Sequence, residues 1–479
     1  MGSSTANSPL PLALSSWMSF ERNYIVRTVD PSRIKPPTVA SLRPEFRPES
    51  GSWFTLPSAW IPESQLAIGE ALVPTELRDQ LMRMRDGERQ FRLFVHPESQ
   101  RFYDELVADR GLCQEHEAAA TASGRTLLVR SKRDPKLLFF VKVSLDVELG
   151  GGVRRTVLRD ESARAIGTSV YLQRVAPKLS QTFQYVPEVL SIIPKGWDHG
   201  GQIVRPLPQA VVDGSVLMPL FALYAQKPGG SPLQKMAARA GLAPSELVSQ
   251  QVVEPFVTAW VDWAVNGAVV MEAHAQNVLL ELAQDGIATG RFFLRDLGGF
   301  EIDRRAPTFD PANLADAPVF STFEADYYPK TAEKMQRQSL RTYFEGGFLF
   351  NVNAELILID PDYRDGRIQG RLWRKLGAVL AQVSGLSANL FSRSSLETKM
   401  PLMLKLAQYG TANRARPVAS VIVQALRDAA PDVRTDGESW LVELTMRSLP
   451  QAGVPSAAEA ETLLAELRSS WSEFSPNES

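Results

Sequence analysis

The chain of 479 residues has a single cysteine, Cys113, and only four histidines, His96, His116, His199 and His274. One thiol excludes an intramolecular disulfide and fits a reducing compartment. It also excludes metal sites built on Cys/His clusters. Neither charge is in excess: 52 Lys and Arg against 54 Asp and Glu give a net charge of −2. That balance speaks against a nucleic-acid-binding surface but leaves room for a local basic pocket. Long uninterrupted apolar runs are missing too. The most apolar stretch, Val252–Met271, carries Glu254, Asp262 and Asn266, so it reads as core and not as a membrane span. The short run Pro9–Leu14 has no basic residue before it and does not read as a signal peptide. A cytoplasmic protein without membrane or nucleic-acid partners is expected.

What is present is an ordinary globular composition, 44% hydrophobic and 22% charged, in a chain too long for one core. Residues 1–60, rich in Ser and Pro, suggest an extended arm. A helix is expected over Pro74–Arg85 and a strand at Phe91–Val95. The clearest hairpin is Thr126–Leu149, turning at Lys132–Lys136. From Val141 its return arm alternates, with Val141, Val143, Leu145, Val147 and Leu149 on one face. Lys142 then lies on the polar face of a half-buried sheet. A helix or a turn into one follows over Val153–Leu172. Gln226–Ser231 is the best candidate linker. A helix should run from Pro244 to about Val265, kinked at Pro255 and stopped by Asn266-Gly267. A second hairpin pairs Val278–Leu282 with Arg291–Leu294, and the pattern beyond Pro329 is largely helical.

Three constellations carry chemistry. In Met271-Glu-Ala-His-Ala-Gln-Asn-Val278, four polar residues sit between apolar runs, just before the second hairpin. That hairpin returns to Arg295-Asp-Leu-Gly-Gly299 and brings Asp296 back beside Asn277. A carboxylate and a carboxamide are hard ligands suited to Mg²⁺ arriving with nucleotide phosphates. Protein kinases use a comparable layout, but the carboxylate that accepts a hydroxyl proton in their catalytic loop is missing here. The plainer alternative is a polar turn satisfying itself. The second group is Ser123-Gly-Arg-Thr126 with Lys142, cations and hydroxyls converging from adjacent strands as an anion pocket would need. The alternative is a solvated sheet face. The third is Gly150-Gly-Gly-Val-Arg-Arg155, where the backbone can approach an anion and Arg154 or Arg155 can grip a carboxylate. A glycine run also simply ends a strand.

Taken in order, these segments resemble the NRPS-independent siderophore (NIS) synthetases, the aerobactin-synthetase-like family. The matching residues are His96-Pro97, Ser123-Gly-Arg125-Thr126, Lys142, Arg154, Glu272-Ala-His274-Ala-Gln276-Asn277 and Arg295-Asp296. The resemblance runs from about residue 91 to about residue 409, where Thr398-Lys-Met-Pro-Leu-Met-Leu404 is similar to the family's C-terminal region. Departures are clear. The family's N-terminal paired His-Pro motifs are absent. The Trp after His-Pro is replaced. Gly150-Gly-Gly152 stands where members carry Thr, Asn and Ser, so the pocket is expected to take an acid other than citrate or a bulkier one.

The resemblance implies an α+β cupped hand of thumb, fingers and palm, with kinase-like palm elements. A reduced N-terminal arm or thumb (1–90), β-rich fingers (91–230) and a palm followed by a helical C-terminal region (231–479) are expected. It implies an ATP- and Mg²⁺-dependent ligase that adenylates a (poly)carboxylic acid and passes it to an amine, hydroxylamine or alcohol. Lys142, Arg125, His274 and Arg154 would be catalytic. Ser123, Arg125, Thr126, Lys142, His274, Asn277 and Asp296 would bind ATP, and Glu272, Asn277 and Asp296 the metal. Arg154, Arg205 and Gly151 would meet the acid. The family's habit implies a homodimer. Two rivals stay open: a phosphotransferase releasing ADP, and a non-catalytic nucleotide-binding relative.

Overall fold

A computed structural model describes residues 10–25, 42–148, 154–314 and 337–363, apart from positions 109 and 305, together with a few positions beyond 363. The Ser- and Pro-rich N-terminal segment is not an extended arm where it is described. Leu12–Asn23 is a helix whose Ala13, Leu14, Trp17 and Met18 are buried, a spacing that places them on one face.

The strands, in chain order, are β1 (Phe54–Pro62), β2 (Leu66–Glu70), β3 (Met82–Arg85), β4 (Glu88–Phe94), β5 (Cys113–Ala120), β6 (Thr126–Ser131), β7 (Leu138–Val143), β8 (Leu145–Glu148) and β9 (Arg154–Arg155). They continue as β10 (Phe183–Tyr185), β11 (Leu190–Pro194), β12 (Gln202–Pro206), β13 (Val216–Pro219), β14 (Val269–Val270), β15 (Val278–Leu282), β16 (Ala288–Leu294) and β17 (Glu301–Ile302). Among the described residues, nine of them form one sheet in the order β2-β11-β12-β7-β6-β5-β1-β4-β3. Every pairing in it is antiparallel. β1, β2 and β3, which precede residue 91, are part of this same sheet. A second sheet has the order β10-β16-β15-β13, with β10 parallel to β16.

The first hairpin forms as expected from β6 and β7, with Thr126 opposite Lys142. Its return arm breaks at Ser144, whose hydroxyl donates to Gly201 O at 2.8 Å and accepts from Val157 N at 2.7 Å. The chain then leaves the large sheet as β8. The expectation of a half-solvated polar face is overturned: β6 and β7 are buried at every position, and Lys142 is 2% exposed. The reason is that both faces are covered. Leu127, Val129, Phe139, Val141 and Val143 enter one apolar cluster. Leu128, Leu138 and Phe140 enter another, closed by the N-terminal helix and by Leu279 and Phe293 of the second sheet. Lys142 follows Phe140 by two residues, so it is carried on this second face, between the two sheets.

Helix Arg159–Val175 packs on the large sheet. The stretch from Pro244 forms a short helix to Leu247, a π-helical turn Val248–Val253, and a helix Glu254–Val265. Pro255 stands inside one continuous helical run, just after the π-helical turn, and having no N–H to give to a carbonyl a turn back it places the irregularity before itself. Gln226–Gly230 is a brief turn, ended by Ser231 capping the helix Pro232–Ala240. Arg337–Leu349 and Phe350–Ile359 are helical, and the Phe344 ring stacks 3.9 Å from that of Phe256. The family-like Thr398–Leu404 segment and almost all of the tail after residue 410 lie outside the described residues. Among the described residues no helix is long and apolar enough to cross a membrane.

Candidate active site

β7 and β12 are neighbours, and they deliver Lys142 and Arg205 to one buried spot. Lys142 Nζ donates to Glu161 Oε1 and to Asp296 Oδ1. Arg205 donates to Glu188 Oε1 through Nε at 2.6 Å and to Asp296 Oδ1 through Nη2 at 3.2 Å. Arg125 donates through Nη2 to the same Glu161 oxygen at 3.2 Å, and through Nη1 to Thr156 O, also at 3.2 Å. Three cations therefore interlock with three carboxylates. Burial alone would raise the Glu161 pKa, but Lys142 and Arg125 outweigh it and hold it at about 2. Asp296 is likewise pulled well below the carboxylate range by Lys142 and Arg205 against the effect of burial. Glu188 goes the other way: burial raises its pKa despite Arg205, and its Oε2 has no hydrogen-bond partner.

Asp296 sits in the left-handed region at φ 68°, uncommon for a residue with a Cβ and costly unless the surroundings enforce it. The ion pairs to Lys142 and Arg205 are that enforcement. After it, Leu297–Gly299 forms one tight turn. Its two glycines permit close packing on both sides. A Cβ on Gly298 would stand 3.0 Å from Glu161 O, and one on Gly299 would stand 2.6 Å from Glu272 Oε2. The turn thus joins the charge cluster to the 271–277 loop.

That loop is a turn bonded both to itself and to its neighbours, with Ala275 O accepting from Phe221 N at 3.1 Å. Asn277 N and Val278 N donate to His274 O at 2.9 and 3.2 Å, and Gln276 N donates to His274 Nδ1 at 3.1 Å. Asn277 Nδ2 donates to Glu272 Oε2 at 3.3 Å, and His274 Nε2 is 3.9 Å from the same oxygen. The His274 ring lies 5.8 Å from that of Tyr343. Register in the second hairpin pairs Val278 with Leu294, and Arg295 N donates to Asn277 O at 3.0 Å, as the sequence spacing requires.

The structure thus brings Arg125, Lys142, Arg205 and Asp296 into one network, with His274, Asn277 and Glu272 across the 296–299 turn. Ser123 lies in the turn before β6 and Thr126 opens that strand: Ser123 Oγ accepts from Thr126 N at 2.9 Å. Gly151 lies outside the described residues. Arg154 is placed by its backbone alone, in β9 opposite Glu148. Among the described residues no three His, Cys, Asp or Glu gather as a metal cage. Asp296, Asn277 and Glu272 are oxygen donors of the sort Mg²⁺ takes one or two at a time when phosphates supply the rest. The donor set fits an ion that comes with a nucleotide.

Solved structures decide what this architecture is. The chain matches ATP-bound aerobactin synthetase IucA of Klebsiella pneumoniae with a TM-score of 0.55 at 16% identity, over 73% of this chain and 66% of that one. It matches the petrobactin biosynthesis protein AsbB of Bacillus anthracis with a TM-score of 0.55 at 19% identity, over 72% and 64%. The aerobactin synthetase IucC of K. pneumoniae gives 0.53 at 17% identity, over 71% and 63%. The fold is that of the NIS synthetases. No protein-family profile and no curated protein matches the chain in sequence. The chain spans about two thirds of the length of these NIS synthetase structures.

Three residues of the site escaped the sequence reading. Glu161 and Glu188 neutralise Lys142, Arg125 and Arg205. Glu21, on the N-terminal helix, is fully buried and holds Arg295 at 2.5 Å. Glu161 had a signal: in the kinase layout a glutamate on the helix after the lysine strand pairs with that lysine. Glu188 and Glu21 had none, since neither stands in a local pattern that marks its partner: Arg205 lies 17 residues from Glu188, and Arg295 lies 274 from Glu21.

Proposed function

We propose that the chain is an ATP-dependent ligase that adenylates a (poly)carboxylic acid and joins it to an amine, hydroxylamine or alcohol, in siderophore or related natural-product biosynthesis. The observation that carries this reading is the buried network of Arg125, Lys142 and Arg205 with Asp296, set beside a loop that reads His274-Ala-Gln-Asn277 without a carboxylate. A carboxylate nucleophile already carries its charge and needs no base. It attacks the α-phosphorus of ATP, pyrophosphate leaves, and the acyl-adenylate is then attacked at its carbonyl carbon, releasing AMP. Positioning and cationic stabilisation of the phosphoryl oxygens dominate such a step. In this reading Lys142 and Arg125, with Ser123 and Thr126, hold the phosphates, and His274 and Asn277 the nucleotide. Asp296 and Asn277, with Glu272 behind them, would hold Mg²⁺, which supplies further neutralisation of phosphate charge. Arg154 and Gly151 would meet the acid, as the resemblance implies, with Arg205 at its edge. In this reading the nine-stranded sheet would be the fingers of the family's hand and the four-stranded sheet with its helices the palm, so that Phe183–Tyr185 and Val216–Pro219 would join the palm although they precede residue 231.

The Lys142–Glu161 pair and the Asp296-Leu-Gly turn favour a second reading, a phosphotransferase releasing ADP, because protein kinases hold ATP with such a pair. Products separate the two. Purified protein is incubated with Mg-ATP, a panel of carboxylic acids and hydroxylamine. AMP, pyrophosphate and a hydroxamate with one acid are expected; ADP in their place overturns the ligase.

A further inference from the structure

We propose that Glu161 is the positioning residue of the phosphate pocket, the group that fixes both Lys142 and Arg125 for ATP. The proposal rests on the ATP-binding part of the reading above. A lysine ammonium on a four-carbon stem and an arginine on a loop have many rotamers, and a pocket that must meet phosphates needs them held. One oxygen, Glu161 Oε1, accepts from both cations. Two of the three Lys142 protons are then taken by Glu161 and Asp296, and one is left to face a ligand. Arg125 keeps further N–H groups beyond those on Glu161 and Thr156 O.

Glu161 differs from the other carboxylates of the cluster. Asp296 carries a proposed ligand role of its own, and Glu188 meets only Arg205 among the three cations in hydrogen-bond contact. Glu161 touches both phosphate cations and is fixed on two sides. It sits in the first turn of helix Arg159–Val175, with Oε2 reaching back to 3.5 Å from Leu158 N. The Asp296 turn packs against it, so that a Cβ on Gly298 would come within 3.1 Å of Glu161 Cγ. Helix position and cation position are therefore one variable.

The test compares ATP with adenosine, which lacks phosphates, by titration calorimetry of the full chain. Glu161→Gln keeps the shape and removes the charge. ATP affinity is expected to fall by about ten- to a hundredfold, the worth of a charge-assisted hydrogen bond or two, with adenosine affinity unchanged. Glu161→Asp should recover part of the loss. Gly298→Ala, which displaces Glu161 without altering any charge, should weaken ATP in the same direction; both variants carry the test if Glu161→Gln fails to fold. Unchanged ATP affinity in Glu161→Gln, or an equal loss for ATP and adenosine, overturns the assignment. Wild-type protein that binds no ATP overturns both this role and the ligase. Wild-type protein that makes ADP overturns the ligase alone.

Discussion

At the residue scale, the site is governed by one buried lysine. Lys142 is carried into the interior by the same alternation that carries Phe140, and it is stable there because two carboxylates meet it. If it stabilises charge developing on the phosphates, Lys142→Ala should slow pyrophosphate formation by about 10²–10³, or about 3–4 kcal/mol, as for a lost transition-state donor. Arg125→Ala should act similarly. Lys142→Met, which keeps most of the stem's packing, separates lost charge from lost volume. Wild-type rates in Lys142→Ala would remove the residue from the pocket. Lys142, Arg125, His274, Asn277 and Asp296 stand out in the sequence as candidates because each lies in a short local pattern. The burial of Lys142 was not, because the second face of β7 is covered by elements more than a hundred residues away in sequence.

At the scale of elements, the N-terminal helix is part of the site's frame. Glu21 accepts from Trp17 Nε1 and Ala122 N, both at 3.1 Å, and from Arg295 Nη1 at 2.5 Å. Arg295 Nε in turn donates to Gln276 O at 3.0 Å. One buried carboxylate therefore ties the helix to the Ser123 turn, to the 271–277 loop and to the end of β16, two residues before Asp296. Removing one member of such a pair leaves a buried charge uncompensated. Glu21→Ala should cost about 3–5 kcal/mol in denaturant unfolding, and Arg295→Met in the same chain should restore a large part of it. A loss under about 1 kcal/mol would mean that the helix docks through Trp17 and Leu14 alone. The helix itself was hidden by composition: serines and prolines suggested an arm, but the prolines of the described helix region precede Leu12.

For the whole molecule, buried imidazoles and carboxylates set the response to acid. His96 is fully buried, accepts from Glu98 N at 3.1 Å, and has its pKa lowered from about 6.5 to about 3, first by burial and then by Arg43. His116 is lowered to about 4, again by burial first and then by Arg92. The unfolded chain takes up these protons before the folded chain does. Stability is therefore complete above pH 6.5 and falls as pH drops toward 4 and 3. Glu161, lowered from about 4.5 to about 2, adds a second loss over that lower window. Melting temperature should thus decline steadily from pH 7 to pH 5, and His116→Gln should flatten that slope. An equal melting temperature at pH 7 and pH 5 would contradict neutral burial of these rings.

What the sequence determined by itself was local: two hairpins, the Asn266-Gly267 helix stop, the polar loop before β15, and the cations and carboxylates of the candidate site. Strand periodicity and turn chemistry act over a few residues, so they can be read from neighbours. What only the tertiary structure decided was which groups meet. The Glu161–Lys142–Asp296 network joins residues up to 154 positions apart, and the Glu21–Arg295 pair joins residues 274 apart. Such pairs form because burying a charge demands an opposite charge, wherever in the chain it comes from. Burial is itself a property of the whole packing, which no local pattern contains.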